Sequence, residues 1–160
     1  MGTMAIPEVK AGQNLKLEIR RVIRASRQRV FEAWTRPEEV RKWMGPGMIS
    51  VSDVRMDART KGSYRIEMKG SIEGNPEFSE RRVPVDGVYT EVKPNELIQF
   101  TWKPGWHPGE ESLVTVRLRD VEGGTELLLT HERFADEQSR EGHAKGWNST
   151  MEKLEHYLAR

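Results

Sequence analysis

The chain has 160 residues, with 26 Lys and Arg against 25 Asp and Glu, four His and no Cys. A formal charge of +1 provides no net field to attract nucleic acid or an anionic membrane. The length fits one compact domain. The lack of cysteine excludes disulfides, thiolate catalysis and cysteine-ligated metal, and it agrees with a reducing, cytoplasmic location.

The first 14 residues contain Gly2, Pro7 and Gly12 and show no periodic apolar pattern. We therefore expect residues 1–14 to be a disordered tail or a remnant of cloning, followed by a single domain over residues 15–160. No apolar run in the chain approaches the roughly 20 residues of a membrane-spanning helix, so no membrane insertion is expected.

The domain begins with a predicted strand and a short helix. Leu15, Leu17 and Ile19 alternate with charged residues, which is the period of a half-buried strand. Ser26 is suited to cap a helix over Arg27–Trp34.

Pro37 ends that helix, because the residue before a proline avoids the helical region of backbone space. Thr35 and Glu38 have the spacing of a capping box, which predicts a second short helix that ends at Gly45-Pro46-Gly47.

The middle of the chain alternates apolar and polar residues between short turns, which predicts antiparallel hairpins. The predicted strands are residues 49–56, 64–69, 83–92, 97–102, 114–119 and 125–131. The polar stretch Gly70–Arg82 predicts a long connection or a frayed hairpin tip, and is a candidate lid over a binding site.

The last predicted element is a long helix over Asp136–Ala159 with Asp136 as its cap. Its apolar residues step by three and four positions, so one stripe faces the core. These are Ala144, Trp147, Met151, Leu154 and Leu158. The order of elements predicts an α+β fold with an antiparallel sheet and a C-terminal helix.

The inward faces of these elements carry large amphipathic or adaptable side chains, where a dry core would prefer Leu, Ile and Val. This mixture favours a ligand cavity, although an aromatic stripe also forms an ordinary core. The predicted cavity residues are Trp43, Tyr64, Met68, Tyr89, Phe100, Trp102, His131, Trp147 and Met151.

His131 is the only candidate for a catalytic role: beside Asp86, Tyr64 or Tyr89, it would orient a ligand carbonyl or act as a general base. The alternative is a core histidine that is hydrogen-bonded to a neighbour. The four histidines have no metal-ligand spacing, and the glycines fit no phosphate-binding pattern. We therefore predict no metal and no cofactor.

Trp106 lies in the Pro- and Gly-rich segment 103–109 between two strands. A tryptophan in such a loop either plugs the mouth of a pocket or contacts a partner protein. We favour the plug.

Several short motifs carry a family resemblance. Residues 30–38 read V-F-E-A-W-T-R-P-E and are followed by W-M-G-P at 43–46. Residues 57–59, 62–64, 97–102, 130–132 and 146–147 read D-A-R, G-S-Y, L-I-Q-F-T-W, T-H-E and G-W. In this order they resemble the activator of heat-shock-protein-90 ATPase homologue-like family. Lys61 and Met44 depart from its pattern.

The resemblance implies the helix-grip fold of the START-like (SRPBCC) superfamily, which includes polyketide cyclases and the birch pollen allergen. In this fold, a curved seven-stranded antiparallel sheet grips a long C-terminal helix, and two short helices follow the first strand. The function it implies is the binding of a small hydrophobic molecule in a cavity between sheet and helix.

Two alternatives stay open. One is a chaperone-regulating interaction domain whose outer surface contacts a chaperone or a second copy of the chain. The other is a polyketide cyclase- or aromatase-like enzyme that uses the same cavity. No nucleic-acid partner is expected from the sequence.

Overall fold

The computed structural model describes residues 15–72 and 75–159, and for residues 71–72 and 75–82 it describes the backbone alone. The predicted tail, residues 1–14, lies outside these ranges. The elements are β1 (Lys16–Ile23), α1 (Arg27–Thr35), α2 (Pro37–Trp43), β2 (Ser50–Met56), β3 (Ser63–Ile72), β4 (Asn75–Lys93), β5 (Leu97–Pro104), β6 (Ser112–Val121), β7 (Gly124–Glu132) and α3 (Glu137–Leu158).

The seven strands form one antiparallel sheet in the order β1-β7-β6-β5-β4-β3-β2. Strands β2 to β7 follow one another as a meander, and β1 joins the far edge by pairing with β7. The predicted α+β class and the helix-grip fold are confirmed: a curved antiparallel sheet holds a long C-terminal helix.

The inward face of the sheet follows the alternation of the sequence. On β1, Leu17, Ile19 and Ile23 are buried, and on β7 every second residue from Thr125 to His131 is buried. A period of two therefore selects one face for the core, as it does in any half-buried strand.

Two of the three predicted helix caps are confirmed. The Ser26 hydroxyl accepts a hydrogen bond from the Arg29 amide at 3.1 Å, and the Asp136 carboxylate accepts one from the Ser139 amide at 2.8 Å. The capping box from Thr35 is wrong. Its hydroxyl donates to the Phe31 carbonyl at 2.8 Å, back into the preceding helix, so α2 begins with Pro37 in its first turn and no side-chain cap.

Of the two alternatives for Gly70–Arg82, the long connection is wrong and the hairpin tip agrees with the structure. Strands β3 and β4 continue through most of this segment as a hairpin, with Gly70 opposite Arg81 and Ile72 opposite Asn75. The register shifts on both sides of Ser71, so the hairpin is irregular near its tip. Polar residues are tolerated in this part of the ladder because backbone pairing does not depend on side-chain type.

Helix α3 packs on the inward face with Trp147 and Met151 buried on its sheet side, as predicted. It also holds the loop after α2. The Lys153 ammonium donates to the carbonyls of Gly45, Gly47 and Ile49 at 2.6 to 3.2 Å. No helix in the described ranges is both long enough and apolar enough to cross a membrane.

Candidate functional site

Aromatic side chains from six elements form a continuous layer between the sheet and α3. We call this layer the aromatic wall, and its members are Trp34, Trp43, Tyr64, Tyr89, Phe100, Trp102 and Trp147. Ring centroids in contact are 4.7 to 6.5 Å apart. Phe100 lies at the centre, because it contacts both tyrosines and two of the tryptophans.

The structure brings all nine predicted cavity residues into this interior, each at most 5% exposed. Six of them belong to the aromatic wall. Met68 and Met151 pack in the same core, and the His131 ring lies 5.8 Å from that of Trp102. Their role in enclosing a ligand stays a prediction.

His131 is completely buried, and both of its ring nitrogens are occupied. Nδ1 accepts a hydrogen bond from the Trp147 indole at 2.9 Å, and Nε2 lies 2.7 Å from the Ser112 hydroxyl. Because an indole N–H only donates, Nδ1 carries no proton and Nε2 must be the donor to Ser112. Burial, together with the neighbouring His143, holds the pKa of His131 well below its usual value, so the ring is neutral.

A second buried histidine extends this arrangement. His143 Nε2 accepts from the Trp102 indole at 3.2 Å, and its Nδ1 donates to the Ser139 carbonyl at 2.8 Å. The Ser139 hydroxyl then donates to Glu110 at 2.9 Å. Burial lowers the pKa of His143, and the Ser139 carbonyl and Glu110 oppose that shift.

Glu110 is the last acceptor in this chain of hydrogen bonds, and His107 Nδ1 lies 3.8 Å from one of its oxygens. Its side chain is 1% exposed, and its second oxygen accepts from the Ala135 amide at 2.6 Å. We call the connected set Trp102, Glu110, Ser112, His131, Ser139, His143 and Trp147 the polar network. Each buried polar side chain in it has a partner, as expected of a stable core.

The predicted neighbours of His131 lie elsewhere. Asp86 is on the outer face of β4, where it accepts hydrogen bonds from Arg65 at 2.9 and 3.1 Å. The Tyr64 hydroxyl donates to the Thr101 carbonyl at 2.6 Å. Burial raises the pKa of Tyr64 and of Tyr89, so both phenols are neutral.

Gly87 makes room for the Tyr64 ring. A Cβ at position 87 would lie 2.5 Å from a carbon of that ring and 2.0 Å from the Thr101 carbonyl oxygen. Because Gly87 has no side chain, β4 can lie close to both the Thr101 backbone on β5 and the Tyr64 ring.

The Ser112–His131 pair does not have the chemistry of a nucleophile and its base. In such a pair the histidine must accept the hydroxyl proton, and a carboxylate or carbonyl holds the proton on its other nitrogen. Here Trp147 donates to that other nitrogen, which fixes the opposite tautomer. Among the described residues, no three His, Asp or Glu side chains are grouped as metal ligands.

Trp106 packs on the edge of the wall. Its ring centroid is 6.3 Å from that of Trp102 and 5.9 Å from that of His143, and the side chain is partly buried against the core. Its role, as a plug of a pocket mouth or as a contact for a partner protein, stays a prediction.

An open cleft of about 540 Å³ lies at the outer face of the sheet. Charged residues line much of it, among them Arg55, Arg65, Asp86 and Lys103. Several of these charges are already paired across the surface, as Arg65 is with Asp86 and Arg55 with Asp53. Exposed pairs of this kind contribute little energy and do not define a ligand.

Two residues of the interior were missed by reasoning from the sequence. Trp34 is the last residue of the predicted helix Arg27–Trp34, and Glu110 follows the Pro- and Gly-rich segment 103–109 without a recognisable motif. The signal for Trp34 was its residue type, because an indole carries a donor that must find a partner when it is buried. Nothing in the local sequence distinguishes Glu110 from its exposed neighbour Glu111.

Comparison with known proteins identifies a family. The model of the family described as Activator of Hsp90 ATPase homolog 1-like protein matches residues 24–159. No curated protein matches the sequence.

Several solved structures resemble the chain. The AHSA1 protein from Silicibacter pomeroyi is 25% identical, with a TM-score of 0.78 over 91% of this chain and 98% of that one. An uncharacterized protein from Rhizobium leguminosarum is 28% identical, with a TM-score of 0.74 over 94% and 97%. CalU16 from Micromonospora echinospora is 20% identical, with a TM-score of 0.64 over 89% and 75%, and shares the fold alone.

Proposed function

The chain belongs to the family of activator of Hsp90 ATPase homolog 1-like proteins, within the START-like superfamily, and we propose that it binds a small, uncharged, largely apolar molecule between the sheet and α3. The aromatic wall is the binding surface in this proposal.

The observation that carries the proposal is the placement of the tryptophans. All five tryptophans of the chain belong to one connected set of rings. Aromatic side chains supply flat apolar area with a few polar handles, which is the usual lining of a small-molecule site. Met44, Met68 and Met151 lie in the same core, and their flexible side chains can rearrange around an incoming molecule.

The charge state of the interior supports an uncharged ligand. His131 and His143 are neutral because burial lowers their pKa values, and both tyrosines of the wall are neutral because burial raises theirs. Glu110 is engaged by Ala135 and Ser139. A charged ligand at the aromatic wall would lose its hydration, and the wall itself carries no charged side chain to serve as a counter-ion.

The two alternative functions have less support. An interaction domain needs a large exposed apolar patch, but the exposed large apolar residues of the described ranges are Val22 on β1, Met48 in the loop after α2 and Val88 on β4. An enzyme that uses His131 as a base needs the tautomer that Trp147 opposes.

The test is binding of a neutral apolar probe, N-phenyl-1-naphthylamine. We expect dissociation constants on the order of micromolar, quenching of tryptophan fluorescence, and a rise in melting temperature by linkage.

In Met151→Trp, the added indole should fill part of the interior and lower the affinity for the probe tenfold or more, with little loss of stability. Glu152→Trp is the matched control, because it adds the same ring at an exposed position of the same helix. The proposal is overturned if wild type ignores the probe and other neutral aromatics while Met151→Trp loses about 1–3 kcal/mol, as in an overpacked dry core.

A further inference from the structure

One polar atom of the interior stands apart from the polar network. The Trp34 indole nitrogen is buried and has no hydrogen-bond partner, and it is the only buried side-chain nitrogen or oxygen of the described residues in this state. The residue as a whole is 3% exposed. Buried N–H groups are rarely left without an acceptor, so this exception calls for a physical reason.

The other tryptophans of the aromatic wall show what is normal here. Trp43 donates to the Ala33 carbonyl at 3.0 Å, Trp102 to His143 at 3.2 Å, and Trp147 to His131 at 2.9 Å. The fold therefore supplies an acceptor for each of these three indoles. Trp34 lacks one although it lies on a regular helix in the same layer.

The neighbours of Trp34 within the wall are rings. Trp43 meets it edge-on at 4.7 Å, Trp147 lies at 6.1 Å and Phe100 at 6.5 Å. A ring face is a weak acceptor for an N–H and replaces only part of the lost interaction with water. A molecule that enters between these rings with an acceptor oxygen would remove that deficit.

We infer that the Trp34 indole N–H is a specificity-determining group that receives a neutral acceptor oxygen, such as that of a ketone, ester or ether, on the bound molecule. This inference rests on the proposed function and narrows its ligand class. A carboxylate does not fit, because the side chains of the aromatic wall are uncharged and His131 and His143 are neutral.

The inference is tested with two probes of nearly equal shape. 2-Acetylnaphthalene carries a carbonyl where 2-isopropenylnaphthalene carries a C=CH₂ group. Trp34→Phe removes the donor and keeps an aromatic ring. Tyr157→Phe is the control, since it removes an aromatic donor that lies outside the aromatic wall and already donates to Glu39. Affinities are measured calorimetrically, because Trp34→Phe alters tryptophan emission.

We expect the preference for the ketone over the alkene to fall roughly three- to tenfold in Trp34→Phe, the usual effect of one neutral hydrogen bond, and to be unchanged in Tyr157→Phe. If both probes bind wild type and Trp34→Phe leaves the preference unchanged, the inference is wrong and the proposed function stands. If wild type binds none of 2-acetylnaphthalene, 2-isopropenylnaphthalene and N-phenyl-1-naphthylamine, the proposed function fails and the inference fails with it.

A measurement on the wild-type protein covers the case in which Trp34→Phe does not fold. In a ¹⁵N-labelled sample, the ketone should move the Trp34 indole N–H resonance downfield, as hydrogen bonding does, and the alkene should not. Equal shifts with the two probes would contradict the inference.

Discussion

The two ends of the interior differ in how their polar groups are satisfied. In the polar network, His131, His143 and Glu110 form a closed set of hydrogen bonds with indoles, hydroxyls and backbone. At the Trp34 end, an equally buried indole has rings around it and no acceptor. Partnered buried groups stabilise one arrangement of the core, whereas a free donor leaves interaction energy for a ligand.

The largest effect is expected at the closed end, from Glu110→Ala. The substitution leaves the Ala135 amide and the Ser139 hydroxyl without their buried acceptor, and each orphaned group is costly. The free energy of unfolding should fall by about 2–4 kcal/mol in denaturant titrations. Glu111→Ala is the control, since its side chain is exposed. Equal stability of the two variants would show that the network contributes nothing.

His131→Phe comes next, because it keeps a ring at the position but removes the acceptor of the Trp147 indole. The expected loss is about 1–3 kcal/mol, the cost of one unsatisfied buried donor. His156→Phe, at an exposed position of α3, should be within about 0.5 kcal/mol of wild type. A His131→Phe protein as stable as wild type would mean that the network is not a structural unit.

The neutral histidines also predict how stability depends on pH. Burial depresses the folded-state pKa of His131 and of His143. Their contribution is therefore fully present above the unfolded pKa of about 6.5 and is lost as the pH falls toward the folded values.

For each histidine that stays neutral in the folded protein, the free energy of unfolding should fall by about 1 kcal/mol as the pH drops from 6.5 to 5.5, because the unfolded state takes up the proton. Denaturant titrations at a series of pH values measure this slope, and His131→Phe should flatten it. A slope that is the same in both proteins would assign the acid sensitivity to other groups.

The smallest effect is expected at the Trp34 end. Trp34→Phe and Trp147→Phe delete the same atoms, but only the second leaves an acceptor, His131 Nδ1, without its donor. We expect Trp34→Phe to be the less destabilising of the two by about 1 kcal/mol. If thermal and chemical denaturation rank them in the opposite order, Trp34 has a favourable contact that rings alone do not explain.

Much of the fold could be predicted from local pattern. The alternation in β1 and the apolar stripe of α3 each fixed which face is buried, because the periods of strand and helix are set by backbone geometry. The caps at Ser26 and Asp136 were readable for the same reason, since their partners lie three residues away. The position of Asp86 was also readable, because Val83 and Val85 face inward and the next residue must face outward.

The Thr35 cap shows where local pattern is ambiguous. A hydroxyl at the junction of two helices can donate to the preceding helix or accept from the following one, and the same spacing serves both. The segment Gly70–Arg82 is a second ambiguous case. Its polar composition is typical of a loop, but its backbone pairs as a hairpin.

The sequence alone determined the order of the elements, the buried faces and the collection of aromatic side chains, because these depend on residues close in the chain. The partners of the buried polar groups were decided only by the tertiary structure. His131 on β7 contacts Ser112 on the neighbouring strand β6 and Trp147 on α3. Glu110, in the loop before β6, contacts Ser139 on α3. Whether Trp34 finds an acceptor depends likewise on which groups the packed elements bring within about 3 Å, a distance that no sequence pattern encodes.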